Sequence, residues 1–462
     1  MAITTIQEIL SLGKSGLNAS KNLLGLTSQN VANVGTPGYS RQRMNLANAA
    51  VLGLGVVAGN PQAVRNAFTF KALLNASGSK GSYDGQLAAL SLVEPVVNEL
   101  DGVGLQAALN KFLESLGQVS ANPSGDPERI QLIQASKGLA GQFKVAAQGL
   151  QDAASGAANQ VKQTAEQVNQ KLKDIAKLNA QIEGLTSTNQ NANALIDQRD
   201  KLLSELSELV SVQVVHEGDG TVNIFAAGGR PLVEGLKASE LVVSGPDGAG
   251  VISVQVKKPN GVLVDPLAPF GGKLGGLIGA YDQEILPAIE KLDEMAFQFM
   301  NAFNAQHQVG FGKDGTTGQL YWEPVVVQQG AAFNVKLAAA IETNPNAIAA
   351  AGAAGDLPGA NDNMLLLMAI QESPLMADGS SVTGAWQNLG QRIGSAINTA
   401  KVGALTDGGT IDQLYALQQA ESGVSLDEEM VNMMIAQKSL EAASAVIRTA
   451  DDMFDTILSI VR

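Results

Sequence analysis

Both ends of this chain carry large apolar residues at a seven-residue spacing, although the two ends lie far apart in the sequence. The N-terminal repeat consists of Ile3, Leu10, Leu17, Leu24 and Val31. The C-terminal repeat consists of Leu426, Met433, Leu440, Ile447, Phe454 and Val461. We call these large residues the predicted assembly seam. Because alternating spacings of three and four residues place such positions on one stripe, each end predicts a long helix with a seam for another helix.

The positions between the large residues are mostly occupied by small side chains. They include Gly13, Ser20, Thr27, Ala436, Ala443 and Ala450. Small residues allow two helix backbones to approach closely, so the simplest prediction is that the terminal helices pair with each other or with copies of themselves. The working unit would then be an assembly. The alternative is an ordinary pair of helices inside a globular bundle.

Charge and hydropathy limit the partners of this 462-residue chain. Its formal charge is -14, and charged residues make up only 16% of it. Nucleic acids and anionic membranes are bound through clustered Lys and Arg, so this balance argues against both. The N-terminus lacks the basic and apolar regions of a cleaved secretory signal, and no apolar stretch is long enough for membrane insertion. A surface poor in charge suits extensive contacts with proteins.

The sequence offers little for catalysis or metal binding. It contains no cysteine and two histidines, His216 and His307, which lie far apart. A His-rich zinc site or a Cys–His nucleophilic pair is therefore close to excluded, and structural roles are expected for both histidines. The acidic run from Asp427 to Glu429 complements a helix dipole better than it matches a catalytic pair. We predict no catalytic residue, no metal ligand and no cofactor.

Periodicity distinguishes helices from strands along the rest of the chain. Val161, Val168, Ile175 and Ile182 repeat every seven residues, which predicts a long helix to about residue 185. Residues 40–75 look extended, and helical periodicity returns near Gln86. Short apolar runs between turn sequences such as Glu217-Gly218-Asp219-Gly220 predict antiparallel strands in residues 211–270. Helices are expected again near 383–402 and 411–421, separated at Asp407-Gly408-Gly409.

These elements predict a mainly α fold with an inserted antiparallel β domain. It consists of paired terminal coiled-coil helices, a central bundle of long helices and an outer β domain. The predicted domains are 1–45 plus 423–462 for the terminal helices, 46–210 plus 271–422 for the helical domain, and 211–270 for the β domain.

One motif near the N-terminus carries a family resemblance. The residues Asn33, Thr36, Pro37, Gly38, Tyr39 and Arg41 resemble the N-terminal signature of bacterial flagellar axial proteins, the rod, hook and hook-associated components. Later segments look like those of the hook-associated members and occur in the same order. They are residues 120–124, 197–202, 302–307, 422–429 and 449–455. The resemblance therefore spans essentially the whole chain.

This resemblance implies a structural adaptor of the bacterial flagellum that joins hook to filament and is not an enzyme. It implies self-assembly into a ring through the paired terminal helices. The implied partners are hook protein, a second junction protein, flagellin, and a cytoplasmic export chaperone at the C-terminal helix. The implied location is extracellular, at the hook–filament junction, reached by type III export without a cleaved signal peptide.

Two motif residues have more specific expected roles. Gly38 is expected to supply the positive φ of a type II turn that ends the inner helix. Arg41, together with Arg43, is expected to pair with acidic groups on a neighbouring subunit.

Two other classes of protein stay open at this point. Another axial subunit, of hook or filament type, would share the terminal seams but would lack the segments 197–202 and 302–307. An enzyme that acts on cell-wall glycans would require two carboxylates in a cleft, roughly 5 to 10 Å apart. No sequence feature identifies such a pair.

Overall fold

The protein is described here from a computed structural model of the chain. The structure describes residues 2–36, 38–48, 55–99, 102–226, 228–247, 250–265 and 270–461, with the backbone alone for 2–5, 48, 460 and 461. Pro37 of the motif and the side chains of Ile3 and Val461 on the predicted assembly seam therefore lie outside the description.

Long helices dominate the fold. In chain order they are α1 (Ala2–Ala32), α2 (Ala67–Val97), α3 (Leu105–Ala121), α4 (Asp126–Ser187), α5 (Asn193–Leu209), α6 (Gly272–Ala280), α7 (Leu286–Val309), α8 (Ala339–Thr343), α9 (Asp362–Ala369), α10 (Val382–Ser422) and α11 (Leu426–Val461). A π-helical segment, Tyr281–Ile285, joins α6 to α7. The seven-residue repeat that predicted α4 is fully buried in the structure, from Val161 to Ile182.

The strands form small antiparallel sheets. One sheet contains β5 (Val212–His216), β6 (Val222–Ala226), β7 (Pro231–Glu234) and β8 (Lys237–Ala238) in sequential order. A second contains β9 (Glu240–Ser244), β10 (Ser253–Lys257) and β11 (Leu263–Val264). Three two-stranded pairs join β1 (Gln42–Arg43) to β4 (Gln62–Ala63), β2 (Leu46–Asn48) to β3 (Val56–Ala58), and β12 (Phe311–Gly312) to β13 (Ala349–Ala351). The predicted fold class, mainly α with an inserted antiparallel β region, is confirmed.

The main hydrophobic core belongs to the helices between α2 and α10 and to the inserted sheets, which we call the body. Its centre is an aromatic cluster of Phe112, Phe299, Phe303, Tyr321 and Trp322. The core continues into the sheets through buried residues such as Val222 and Val254. None of the described side chains of α1 or α11 belongs to this core.

The prediction of extended chain up to residue 75 is wrong, because α2 begins at Ala67. The side chain of Asn66 caps this helix by accepting hydrogen bonds from the backbone N–H groups of Phe68 and Thr69. Three glycines interrupt the repeat of apolar residues in α2, and each of them is needed for close packing. A Cβ on Gly81, for example, would lie 2.0 Å from the carbonyl oxygen of Glu208 on α5.

The predicted break at residues 407–409 is also wrong, because α10 runs without interruption. It packs along α2, and a Cβ on Gly403 would lie 2.5 Å from the ring of Tyr83. Glycine lowers intrinsic helix propensity by about 1 kcal/mol per residue. Packing against a neighbouring helix outweighs this cost, since most helix stability in proteins comes from tertiary contacts.

Candidate functional site

The helices α1 and α11 pack against each other in an antiparallel arrangement, which we call the terminal pair. Small residues lie at the closest contacts. A Cβ on Gly13 would lie 2.7 Å from Cγ1 of Ile447, and one on Gly16 would lie 3.5 Å from Cβ of Ala443. Ala436 and Ala450 are completely buried. The two backbones therefore approach through the small residues that alternate with the large ones.

The large residues of the predicted assembly seam flank this contact. Leu17, Leu24, Val31, Met433, Leu440 and Ile447 are half-buried. Leu10, Leu426 and Phe454 remain exposed, with 39%, 46% and 42% of their surface accessible. The structure thus brings both repeats to one helix pair and leaves much of their apolar surface open.

A further group of apolar side chains on α11 is exposed and was not predicted from the sequence. We call it the outer face, and it consists of Met430, Val431, Met434, Ile435, Val446, Met453 and Leu458. Apart from Val446 and Met453, these residues are not seven positions apart, and none lies on the heptad seam, so a search for that seam passes over them. The dense apolar run 430–435 was the signal that could have identified part of this face.

The family motif ends α1 and turns the chain. Gly38 has a φ of +83°, and the N–H of Tyr39 donates to the carbonyl oxygen of Thr36 at 3.2 Å. The hydroxyl of Thr36 also donates to Oδ1 of Asn33, at 3.2 Å. The positive φ expected for Gly38 is confirmed. This left-handed conformation favours glycine, because a Cβ would strain the backbone.

Five side chains behind the turn form what we call the polar cluster. Its members are Asn30, Tyr39, Arg41, Gln42 and Glu429. The amide nitrogen of Asn30 donates to the carbonyl oxygen of Gln42 at 2.9 Å and to Glu429 at 3.2 Å. Its amide oxygen accepts from the Tyr39 hydroxyl at 2.8 Å and from the Gln42 N–H at 3.1 Å. Asn30 is therefore hydrogen-bonded through both ends of its amide group, as a buried side chain of this kind must be.

Arg41 pairs with two acidic residues of its own chain, and the expected acidic partners on a neighbouring subunit stay a prediction. Its Nε donates to Oε1 of Glu429 at 2.7 Å, and its guanidinium also pairs with Glu428. Glu429 is 2% exposed and Arg41 is 7% exposed, so each charge needs the other to offset the loss of water. Both carboxylates lie in the first turn of α11, where they also complement the helix dipole.

The polar cluster is also bound to helix α5 of the body. The N–H of Ser40 donates to Oδ2 of Asp197 at 3.3 Å, and Asn193 donates to the side-chain oxygen of Gln42 at 3.2 Å. Burial, assisted by the negative charges of Asp197 and Glu429, raises the pKa of Tyr39, so its hydroxyl stays a donor. The segment 197–202, which contributed to the family resemblance, thus anchors the chain that follows α1.

A second pair of contacts on α5 involves Arg65. Its guanidinium pairs with Asp197 at 2.6 Å and with Asp200 at 3.5 Å. Burial raises the pKa of Asp200 to about 6, although the nearby Arg65 and Arg199 act in the opposite direction. Removal of a carboxylate from water thus outweighs its attraction to two guanidinium groups here.

The described residues of this region provide hydrogen bonds and packing surfaces. No cluster of three or more His, Asp or Glu residues among them is suited to holding a metal ion. None of the helices in the described ranges is long and apolar enough to cross a membrane. An open cleft of about 630 Å³ lies beside the polar cluster, between the second half of α1 and the start of α11.

Comparisons with known proteins agree with this architecture. The family model of the flagellar hook-associated protein FlgK helical domain matches residues 90–322, and that of the flagellar basal body rod FlgEFG protein C-terminal matches residues 419–460. Flagellar hook-associated protein 1 of Salmonella typhimurium is 27% identical, over 98% of this chain and 100% of its own. The protein of the same name in Bacillus subtilis is 28% identical, over 97% of each chain.

A solved structure shares the fold. It is the flagellar hook junction protein FlgK from Burkholderia pseudomallei, which aligns with a TM-score of 0.66 and 18% identity over 76% of this chain and all of its own. The helical-domain match covers half of the sequence, and the relatives extend over nearly all of it. The chain therefore belongs to the FlgK family of flagellar hook-associated proteins, which are structural proteins of the hook–filament junction and not enzymes.

Proposed function

We propose that the protein joins hook to filament as one subunit of a ring, and that neighbouring copies contact each other through their terminal pairs. The observation that carries this proposal is the outer face of α11, where Met430 and Met434 are each 61% exposed. Exposed apolar patches of this kind mark interaction sites on proteins. The half-buried residues of the predicted assembly seam extend the same apolar surface along the pair.

The charge distribution supports a protein partner at this surface. Residues 430–437 contain no charged side chain, whereas the rest of α11 carries several. Each chain has a formal charge of -14, so two copies repel each other overall. This repulsion is weakest where the facing surfaces carry no charged side chains. A ring formed through this stretch brings the uncharged surfaces of neighbours together.

We assign the ring to the terminal helices and the remaining contacts to the other domains. Residues 1–45 and 423–462 form the assembling domain in this proposal, 46–210 with 271–422 form the helical domain, and 211–270 form an outer β domain. The separation of the terminal pair from the main hydrophobic core supports the first division. Hook protein is the proposed partner on one side of the ring, with a second junction protein and flagellin on the other.

The proposal includes a partner before assembly. The outer face of α11 is apolar and would favour aggregation of the unassembled chain, so it is the proposed site for a cytoplasmic export chaperone. The chain would then leave the cell by the flagellar export route without a cleaved signal peptide and function outside it.

The first test is deletion of the gene. Cells without it should make hooks that lack filaments and should release flagellin into the medium. Complementation with Met434→Glu should fail to restore filaments, because a charge is placed on the outer face. Ser439→Glu, which adds the same charge to an exposed polar position of α11 outside residues 430–437, should restore them. Normal filaments in the deletion strain would contradict the proposed role.

A further inference from the structure

The methionines of the body and those of α11 differ in their accessibility. The methionines of the body pack in or against the main hydrophobic core, where Met295, Met300 and Met364 are each at most 1% exposed. The methionines at the start of α11 lie outside this core, and Met430 and Met434 are each 61% exposed. An oxidant in solution therefore reaches the methionines of α11 before it reaches those at the centre of the body.

Methionine is also unusually dense at this point of the sequence. Three of the five residues 430–434 are methionine, and we call Met430, Met433 and Met434 the methionine cluster. Methionine is unbranched and polarizable, so a surface rich in it adapts to partners of different shape. Its thioether sulfur is also readily oxidised, which leucine or valine at the same positions would not be. The cluster thus combines a good contact surface with a reactive atom.

A peroxide oxidises such a sulfur in one balanced step. A lone pair of the sulfur attacks one peroxide oxygen and the O–O bond breaks. The transferred oxygen loses its proton to the second oxygen, which leaves as water. The thioether is oxidised to a sulfoxide while the peroxide is reduced, and an apolar side chain becomes a polar one. Methionine sulfoxide reductases reverse this change.

We propose that the methionine cluster is an oxidation site, at which peroxide makes the apolar surface of α11 polar and prevents the unassembled chain from entering the ring. The inference rests on the proposed ring, because the cluster controls assembly only if neighbouring copies meet there. Contact with a neighbour covers the cluster, so chains already in the ring are protected. The body stays folded because its methionines are enclosed by the core. Oxidation therefore blocks assembly without unfolding the protein.

The first measurement maps the oxidation in the purified full-length chain. After brief exposure to hydrogen peroxide, peptide mass spectrometry should show sulfoxide forming at Met430 and Met434 about tenfold faster than at Met295 and Met300. Urea unfolding of the treated protein should give an unchanged midpoint for the body. Equal rates at the two groups of methionines, or a lower midpoint, would overturn the inference.

The second measurement follows assembly on isolated hooks from the deletion strain. Protein treated with peroxide and then with catalase should sediment with the hooks at about one tenth of the untreated amount, since a polar group without a partner weakens an apolar contact. The same dose given after binding should leave the protein on the hooks. Methionine sulfoxide reductases should restore binding to the oxidised protein. Binding that survives oxidation, or that the reductases do not restore, would contradict the proposed site.

Substitutions assign the effect to the cluster. The combined change Met430→Leu, Met433→Leu and Met434→Leu removes the sulfur atoms and nearly conserves volume and apolar character. Peroxide should then remove little of the binding that this variant shows. Met368→Leu, at a half-buried methionine of the body, should stay as sensitive as the unmodified chain. Equal fractional losses in the two variants would assign the oxidation to other residues and overturn the inference.

The untreated protein separates this inference from the proposed function. If the untreated, unmodified chain does not bind hooks, the proposed ring itself is wrong. If it binds equally well before and after oxidation of the cluster, the ring stands and only the oxidation site is wrong.

Discussion

The terminal pair and the body bury different kinds of side chain. The body is centred on aromatic rings, where Phe112 lies 5.9 Å from Phe299 and 5.8 Å from Trp322 between ring centroids. The terminal pair buries mainly small residues at its closest contacts, such as Gly13 and Ala436. A buried phenylalanine contributes about 2–3 kcal/mol, several times the contribution of an alanine methyl group. The body is therefore built to be stable alone, whereas the terminal pair leaves its larger apolar side chains available to other chains.

The largest expected effect is the loss of a body ring. Phe112→Ala should lower the free energy of unfolding of the body by about 3–5 kcal/mol, since it removes a fully buried ring from the centre of the core. Urea unfolding followed by circular dichroism measures this. Phe68→Ala is the matched control, because Phe68 is 81% exposed, and it should cost less than about 0.5 kcal/mol. Equal losses in the two variants would remove the distinction between core and surface in this region.

Acid should destabilise the body through one buried histidine. His307 is fully buried, with Nε2 accepting from the N–H of Ala349 and Nδ1 donating to the carbonyl oxygen of Gln319. Burial lowers its pKa to about 4, with a smaller contribution from Arg129. The unfolded state, with an ordinary pKa near 6.5, binds the proton more readily, so stability falls as pH drops from about 6.5 to 4, by about 3 kcal/mol from this residue. The free energy of unfolding, measured at several pH values, should fall more steeply with acid in the unmodified protein than in His307→Gln.

Asp200 should have the opposite pH dependence. Its pKa is about 6 in the folded protein and near 3.8 when unfolded, so the folded state gains protons first and stability rises as pH falls from 6 to 4. The two residues therefore offset each other in this range. Asp200→Asn should make the protein more sensitive to acid than the unmodified chain. A variant with unchanged sensitivity would show that Arg65 keeps this carboxylate ionised.

The contact within the terminal pair can be disrupted without touching the body. Gly13→Leu should separate α1 from α11, since even a Cβ at this position would lie 2.7 Å from Ile447, and overpacking of this kind costs about 1–3 kcal/mol. Amide hydrogen exchange should become faster in both helices while the unfolding midpoint of the body stays the same. Gly25→Leu places the same side chain on α1 where no atom lies within 4 Å of the added Cβ, and it should change neither property. A lower midpoint for the body in Gly13→Leu would show that the two regions share their stability.

Sequence periodicity predicted the parts of the fold in which one repeat dominates. It identified α4 and the terminal helices, because a long helix with a single packing face repeats its apolar residues regularly. It failed for α2, since Gly78, Gly81 and Gly85 serve close contacts with α5 and α6 and carry no apolar signal. It also missed the polar cluster, whose members Asn30 and Glu429 are brought together only by the pairing of the two ends of the chain. The family motif located one side of that cluster and segment 422–429 contained Glu429, but neither pattern showed that the two sides meet.

The smallest expected effect concerns the turn that connects α1 of the terminal pair to the body. Gly38→Val places a β-branched residue at a φ of +83°, which costs about 1–2 kcal/mol of local strain. The strain falls next to Tyr39, whose hydroxyl donates to Asn30, so the polar cluster should loosen while the body remains folded. Filament attachment should be impaired in cells that carry this variant, and urea unfolding of the purified body should be unaffected.

Gly35→Val is the control, since Gly35 does not require a positive φ and nothing lies within 4 Å of its added Cβ. Normal motility in Gly38→Val would mean that this turn tolerates the strain and that the geometry of the terminal pair is set by the helix contact alone.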